Sequence, residues 1–310
     1  RVSDCVRMAL RSGAADYRCH FCPDFGLPIV SFVPKNICKI MSGFQFEDKA
    51  SLDNIIELKS IGQSYDGGQN WIIKDFNLIV EDKPAQGQFV VLLGMSGSGK
   101  STVLRYISGL QNPTEGQVLV KGKPVDQHTH ISMVFQQYSS LPWMTVLDNV
   151  GLALQYQGIS KKDRDARAME LIQLVGLDGH EKKYAMYPTL SGGQLQRVAI
   201  ARSILANPEI LLMDEPFGAL DIKTRIQMQD LLLQLWEKFH STVIFVTHDI
   251  SEAVYLGDDI YIMKYAPSKI VEHIHIDLPL HRTRDTKRDT HFTQLVHHVE
   301  DTMMKVSSEK

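Results

Sequence analysis

The sequence predicts an α/β fold in which a largely parallel sheet presents its chemistry at one end of its strands. Three stretches predict it. Phe89-Val90-Val91-Leu92-Leu93 is an apolar strand run that passes through a glycine turn into a helix start. Ile210 to Met213 is apolar on both faces, as the middle of a parallel sheet requires, and ends in the adjacent carboxylates Asp214 and Glu215. Thr242 to Val246 repeats the apolar run and ends in Thr247-His248-Asp249. Ligands of open α/β sheets sit at the carboxyl ends of the strands, so the residues just past these runs are the candidates for chemistry.

The glycine turn reads Gly94-Met95-Ser96-Gly97-Ser98-Gly99-Lys100-Ser101-Thr102. Glycines at 94, 97 and 99 let successive backbone N–H groups point inward, and the helix that follows adds its positive dipole end. Lys100 can reach terminal phosphates, and the Ser101 hydroxyl can ligate Mg²⁺. The spacing G-x-x-x-x-G-K-S therefore fits a nucleoside triphosphate. Two buried acids at a strand end cost free energy unless a cation or proton holds them. Mg²⁺ on the Asp214 side and a water on the Glu215 side would supply that. His248, at the end of a strand expected beside the phosphate loop, becomes a candidate γ-phosphate contact.

The remaining elements follow in chain order. Ile55 to Ile61 and Ile72 to Val80 read as two strands joined by a turn at Asp66-Gly67-Gly68, where Tyr65 is either a base-stacking aromatic or a half-buried turn residue. A helix to Gly109-Leu110 leads to strands at Gln117–Val120 and Ile131–Phe135, with Gln136 directly after. From about 145 to 206 the pattern turns helical. Thr145 opens one helix, Ser160 to Val175 carries an apolar stripe closed by Gly176, and Ser191 caps a helix running to Ala206. In Leu190-Ser191-Gly192-Gly193-Gln194 the two glycines let a second ligand approach the positive end of that helix. Asp221 caps a helix rich in Leu and Gln, His273 and His275 share one face of a strand, and residues 290 to 305 suit a closing amphipathic helix.

Composition sets the outer bounds. Of 310 residues, 33 are Lys or Arg and 36 Asp or Glu, giving a net charge of -3, so no basic face for nucleic acid is expected. No run approaches the roughly 18 apolar residues of a membrane span. Residues 1–40 hold all 4 cysteines (Cys5, Cys19, Cys22 and Cys38) but sustain no period. Cys19 and Cys22 are half of a zinc ligand set without a matching second pair, so the expectation is an extension without a fold or not native, with Met41 as the start.

In this order the motifs resemble the ATP-binding-cassette (ABC) ATPase family over about residues 53 to 275. The loop 94 to 102 resembles Walker A, Gln136 the Q-loop glutamine, and Leu190 to Gln194 the LSGGQ signature. Asp214 and Glu215 resemble Walker B and its catalytic glutamate, and His248 the switch histidine. Gly218-Ala219-Leu220-Asp221 resembles the D-loop, with Gly218 where many members carry Ser. Tyr65 falls at the base-stacking aromatic.

The resemblance implies a P-loop NTPase fold: a mixed, mainly parallel core sheet, an antiparallel β subdomain, and an inserted helical subdomain at about 137–206. Residues 276–310 form a tail. It implies ATP and Mg²⁺ as cofactors, with Glu215, His248, Lys100 and Gln136 catalytic and Ser101, Gln136 and Asp214 on the metal. Nucleotide contacts would come from Tyr65, Gly94, Ser96, Gly97, Ser98, Gly99, Lys100, Ser101 and Thr102, and from Ser191, Gly193 and Gln194 acting on ATP held by a second copy.

Ser140-Leu141-Pro142-Trp143-Met144-Thr145-Val146, Gln229 to Trp236, Val246 to Ala253 and the tail Ile276-Asp277-Leu278-Pro279 with Arg282 and Arg284 are similar to importers of nitrate, sulfonate, taurine and bicarbonate. Implied partners are a second ATPase subunit, integral permease subunits and an extracytoplasmic solute-binding protein, at the cytoplasmic face of the membrane and without nucleic acid. The fused solute-binding-like domain of larger members is not expected. An ABC ATPase of export or lipid transport would share the core motifs, and a soluble non-transport cassette is the other alternative.

Overall fold

The computed structural model describes residues 54 to 308 except 84–86, 127, 128, 130, 138 and 266. The four cysteines and Met41 lie outside the described residues. Among the described residues two sheets form. The strands β1 (Asn54–Ser64), β2 (Trp71–Glu81), β4 (Glu115–Val120) and β5 (Lys123–Pro124) make an antiparallel sheet in the order β2-β1-β4-β5. The second sheet has the order β10-β9-β3-β8-β7-β6. Its members are β3 (Gln88–Gly94), β6 (Ile131–Val134), β7 (Ile210–Asp214), β8 (Thr242–Thr247), β9 (Asp259–Met263) and β10 (Ile270–His275).

All neighbours in this second sheet are parallel except β10 against β9. Every residue of β3, β7 and β8 is buried, which is why these strands read as unbroken apolar runs. β3 lies directly beside β8, with Leu93 opposite Thr247, and β8 beside β7, with Val246 opposite Asp214. The three motif-bearing strands therefore end side by side.

Each face of this sheet is covered. Val90, Leu92, Ile244 and Val246 pack with the inner face of the antiparallel sheet and with α1 (Lys100–Ile107). Phe89, Val91, Phe245 and Met213 pack with helices α2 (Val146–Tyr156), α3 (Lys161–Leu174), α4 (Gly192–Leu205), α5 (Ile222–Phe239), α6 (Ile250–Leu256) and α7 (Thr290–Ser308). Side-chain caps start five of these helices: Thr145, Ser160, Ser191, Asp221 and Asp249 each accept a bond from a backbone N–H three residues on.

The elements differ from the sequence reading at the helix after the phosphate loop, at the two-residue β5, and at β9 and α6. The helix after the phosphate loop stops at Ile107, and Gly109 takes the left-handed turn beyond it. β9 and α6 were not expected; β9 has only five residues and opens on Asp259, which hides its apolar run. His273 and His275 do share a face, and both rings lie about one carboxylate, 3.0 and 3.1 Å from Asp259 Oδ1.

Candidate functional site

At the end of β3 the chain turns on Gly97 (φ 83°) and Gly99 (φ 80°), values that L side chains rarely adopt. Gly99 is the N-cap of α1 and offers no side-chain cap, so the first N–H groups of that helix stay directed into the loop. Lys100, only 4% exposed, folds back over the loop, and Nζ donates to the carbonyls of Gly94 at 2.8 Å and Met95 at 2.9 Å. Burial pushes the Lys100 pKa down, while the carboxylates of Glu215 and Asp214 oppose that shift.

The ends of β7 and β8 close on this loop. Ser101 Oγ donates to Asp214 Oδ1 at 2.8 Å. Asp214 is buried, and burial raises its carboxyl above the ordinary range; the Ser101 bond works against this and the neighbouring Glu215 charge adds to it. Glu215 takes φ 41°, uncommon for a residue with a side chain, and its N–H donates to Val246 O at 3.0 Å. That turn aims its two carboxylate oxygens apart. Oε1 stands 4.0 Å from Lys100 Nζ, and Oε2 stands 3.1 Å from His248 Nδ1. One acid thus links the phosphate loop with the end of β8.

The structure brings together Lys100, Ser101, Asp214, Glu215 and His248. Other expected residues stand apart from this cluster. Gln136 is exposed, two positions beyond the end of β6. Tyr65 is 68% exposed and its hydroxyl accepts from Gln111 Nε2 at 3.2 Å. Ser98 Oγ is buried without a hydrogen-bond partner, so this side chain points into the fold. Ser96 and Gly97 lie in the turn ahead of α1, and Thr102 lies within that helix.

Ser191 and Gln194 form a capping box at the head of α4. Ser191 N–H donates to Gln194 Oε1 at 2.9 Å, and Gln194 N–H to Ser191 Oγ at 3.3 Å. Gln194 Nε2 also lies 3.3 Å from a ring nitrogen of His180. Gly193 is a place of close approach, because a Cβ there would fall 2.5 Å from Thr224 Cγ2 on α5. All these contacts belong to the helical block and to α5.

The sequence gives no individual role to Arg202, Asn149, Gln229 or Glu252. Arg202 on α4 donates to the carbonyl and hydroxyl of Ser139, at 2.7 and 2.8 Å, tying the signature helix to the segment after Gln136. Asn149 is fully buried and holds the Leu141–Met144 turn through the backbones of Leu141 and Met144. Gln229 and Glu252 are buried polar residues on otherwise apolar helix faces. A polar side chain inside an apolar stripe was the available signal for them.

A family model described as ABC transporter matches residues 80–218. The chain is 40% identical over 251 residues to the taurine import ATP-binding protein TauB of Pseudomonas savastanoi pv. phaseolicola, covering 79% of this chain and 94% of that protein. It is also 40% identical over 246 residues to the nitrate import ATP-binding protein NrtD of Synechocystis sp., covering 76% and 90%. Among solved structures, a dimeric ATP-binding cassette in a post-hydrolysis state with ADP and Pi is similar at TM-score 0.62 and 34% identity, covering 72% of this chain and 100% of that one. With the motifs of the phosphate loop, β7 and α4 in place, the chain belongs to the ATP-binding-cassette transporter family, as an ATP-hydrolysing subunit of the import group.

Proposed function

We propose that this ATPase works as half of a head-to-tail pair and that closing and opening of the pair drives uptake of a small anionic solute. The observation that carries the reading is the convergence of Lys100, Glu215 and His248 beside the Ser101–Asp214 pair, at the ends of adjacent strands. Phosphates would occupy the 94 to 102 loop, with Lys100 turning from the Gly94 and Met95 carbonyls to the terminal phosphates. Tyr65 would stack on the base, its exposed ring being free to do so.

Mg²⁺ suits the donors present. Ser101 Oγ and Asp214 Oδ1 are hard oxygens already in contact, and the burial that raises the Asp214 carboxyl is a cost that a cation offsets. When bound, the ion would neutralise charge on the β- and γ-phosphates. Gln136 would reach the same place from the end of β6. Glu215 would accept a hydrogen bond from the attacking water and orient it toward the γ-phosphate, while His248 and Lys100 offset the charge that develops there.

Ser191, Gly193 and Gln194 would complete the site of a second copy, since their contacts in this chain stay on α4, His180 and α5. Residues 137–206 form the helical subdomain, and its surface offers a docking place for a membrane permease. Trp143 is 71% and Tyr187 75% exposed, and Tyr184 is bridged to Thr145 beside the Trp143 turn. No helix among the described residues is long and apolar enough to cross a membrane. Kinship with import ATP-binding proteins supports a peripheral place on the cytoplasmic face, with solute choice left to permease and extracytoplasmic binding protein. The kinship with taurine and nitrate import proteins favours an anion as solute. The test is ATPase turnover of the assembled transporter in vesicles: addition of the right anion with its binding protein should raise it several-fold. Turnover indifferent to taurine, other sulfonates, nitrate and bicarbonate would count against the reading.

A further inference from the structure

The C-terminal segment reaches the hydrolysis site through a chain of polar side chains, of which Gln229, Glu252 and Thr247 are buried. Lys287, in the 3₁₀ turn Thr286–Arg288, places Nζ 2.6 Å from Gln229 Oε1 and 3.9 Å from the centre of the Tyr255 ring. Gln229 Nε2 donates to Glu252 Oε1 at 2.9 Å, and Thr247 Oγ1 donates to Glu252 Oε2 at 2.5 Å. Asp249 N–H donates back to Thr247 Oγ1 at 3.1 Å, and Glu252 N–H donates to Asp249 Oδ1 at 2.9 Å. Thr247 and Asp249 are the two neighbours of His248. Thr247 is held by the Glu252 carboxyl and Asp249 by the Glu252 N–H and by Thr247 Oγ1, and the carboxyl is tied through Gln229 to Lys287.

The donor inventory gives Lys287 a specific effect. An ammonium donates only, so it requires the oxygen of the Gln229 amide and turns the NH₂ toward Glu252. Without that cation the Gln229 oxygen loses its donor and the amide keeps only the Glu252 carboxyl as a hold, inside a site where Gln229 and Glu252 are only 4% and 5% exposed, so the pair can shift together. We propose that Lys287 is a positioning residue for ATP hydrolysis, setting the backbone on either side of His248 so that the ring meets Glu215. This rests on the reading of His248 given above. Lys287 itself touches neither Glu215 nor the phosphate loop; its effect passes through Gln229, Glu252 and Thr247.

The experiment compares Lys287→Met, which keeps the aliphatic stem, with Lys287→Arg and with Gln229→Leu, which breaks the same chain one link further in. Lys287→Met and Gln229→Leu should each lower kcat about tenfold with KM for ATP within about twofold, and Lys287→Arg should restore most of the loss. The ring C–H resonance of His248 should shift in both damaged variants and return in Lys287→Arg. Parent kcat in Lys287→Met, or an equal fall in kcat and rise in KM not rescued by Arg, would overturn the proposal. His248→Ala fixes which idea has failed. If it is inactive while Lys287→Met turns over like the parent, only the tail coupling falls; if it hydrolyses normally, the role of His248 falls and the coupling with it.

Discussion

His248 Nδ1 and Glu215 Oε2 stand 3.1 Å apart, joining the ends of two neighbouring parallel strands across the site. The contact leaves Glu215 Oε1 on the Lys100 side, 4.0 Å from Nζ, so the acid is aimed by both partners. Glu215→Gln keeps the shape and removes the basic oxygen. Its ATPase rate should fall by about 10² to 10⁴ while nucleotide affinity stays near the parent value. Single-turnover hydrolysis and equilibrium binding measured side by side separate the two, and parent-rate turnover would remove Glu215 from the chemistry.

Asp214 carries a pH prediction. Burial raises its carboxyl, so in the free protein the proton leaves at higher pH than from an ordinary aspartate. A carboxyl raised by folding contributes stability at low pH that is lost as pH rises through the raised value. Mg²⁺ binding needs the ionised form and runs the other way. The Mg²⁺ concentration giving half-maximal nucleotide affinity should therefore rise as pH falls through the acid range, beginning above the titration of an ordinary aspartate. Asp214→Asn should raise that Mg²⁺ concentration across the range and flatten its pH dependence; an unchanged pH profile in that variant would show that the metal sits elsewhere.

Gly193 tests the close approach of α4 to α5. Alanine would put Cβ 2.5 Å from Thr224 Cγ2, so either the Thr224 methyl or the signature helix head must shift. Gly193→Ala should cost about 1 to 3 kcal/mol and depress ATPase activity of the pair. Adding Thr224→Ser removes the opposing methyl and should recover much of both, as read by thermal melting and steady-state turnover. No recovery in the double variant would mean the glycine serves a different purpose.

Arg282 is a stability prediction. Its buried guanidinium donates to the carbonyls of Tyr255, Leu256 and Gly257 and to Asp258 Oδ1, while Asp258 Oδ2 accepts from the Phe89 N–H at the start of β3. Arg282→Ala orphans these acceptors and should cost about 3 to 5 kcal/mol. That corresponds to a fall in melting temperature of roughly 10 °C, with nucleotide contacts untouched. A loss under about 1 kcal/mol would show the cluster to be solvated and weak.

Much of the site was legible in the sequence because its carriers are regular. β3, β7 and β8 are buried on both faces and announce themselves as apolar runs, and the residues ending them are the ones that converge. The helix heads were legible through Ser191 and Asp221, whose caps are local. What escaped depends on contacts between distant segments. Glu215 meets His248 only because β7 and β8 are neighbours, and no spacing rule states that the acid will turn through a positive φ to do so. Lys287 reads as one more charge in a polar tail; its partners Gln229 and Glu252 lie on α5 and α6, and α6 itself was not expected. The Asp259 to His273 and His275 contacts required the unforeseen strand β9.

In the proposed pair this chain holds half a site, completed by Ser191, Gly193 and Gln194 of another copy. The direct measurement is the solution mass of Glu215→Gln with and without ATP and Mg²⁺, repeated with Ser191→Arg added. Adding ATP should shift the mass from monomer to dimer, and Ser191→Arg should abolish that shift while each monomer still binds nucleotide. An ATP-dependent dimer that persists with Ser191→Arg would contradict it.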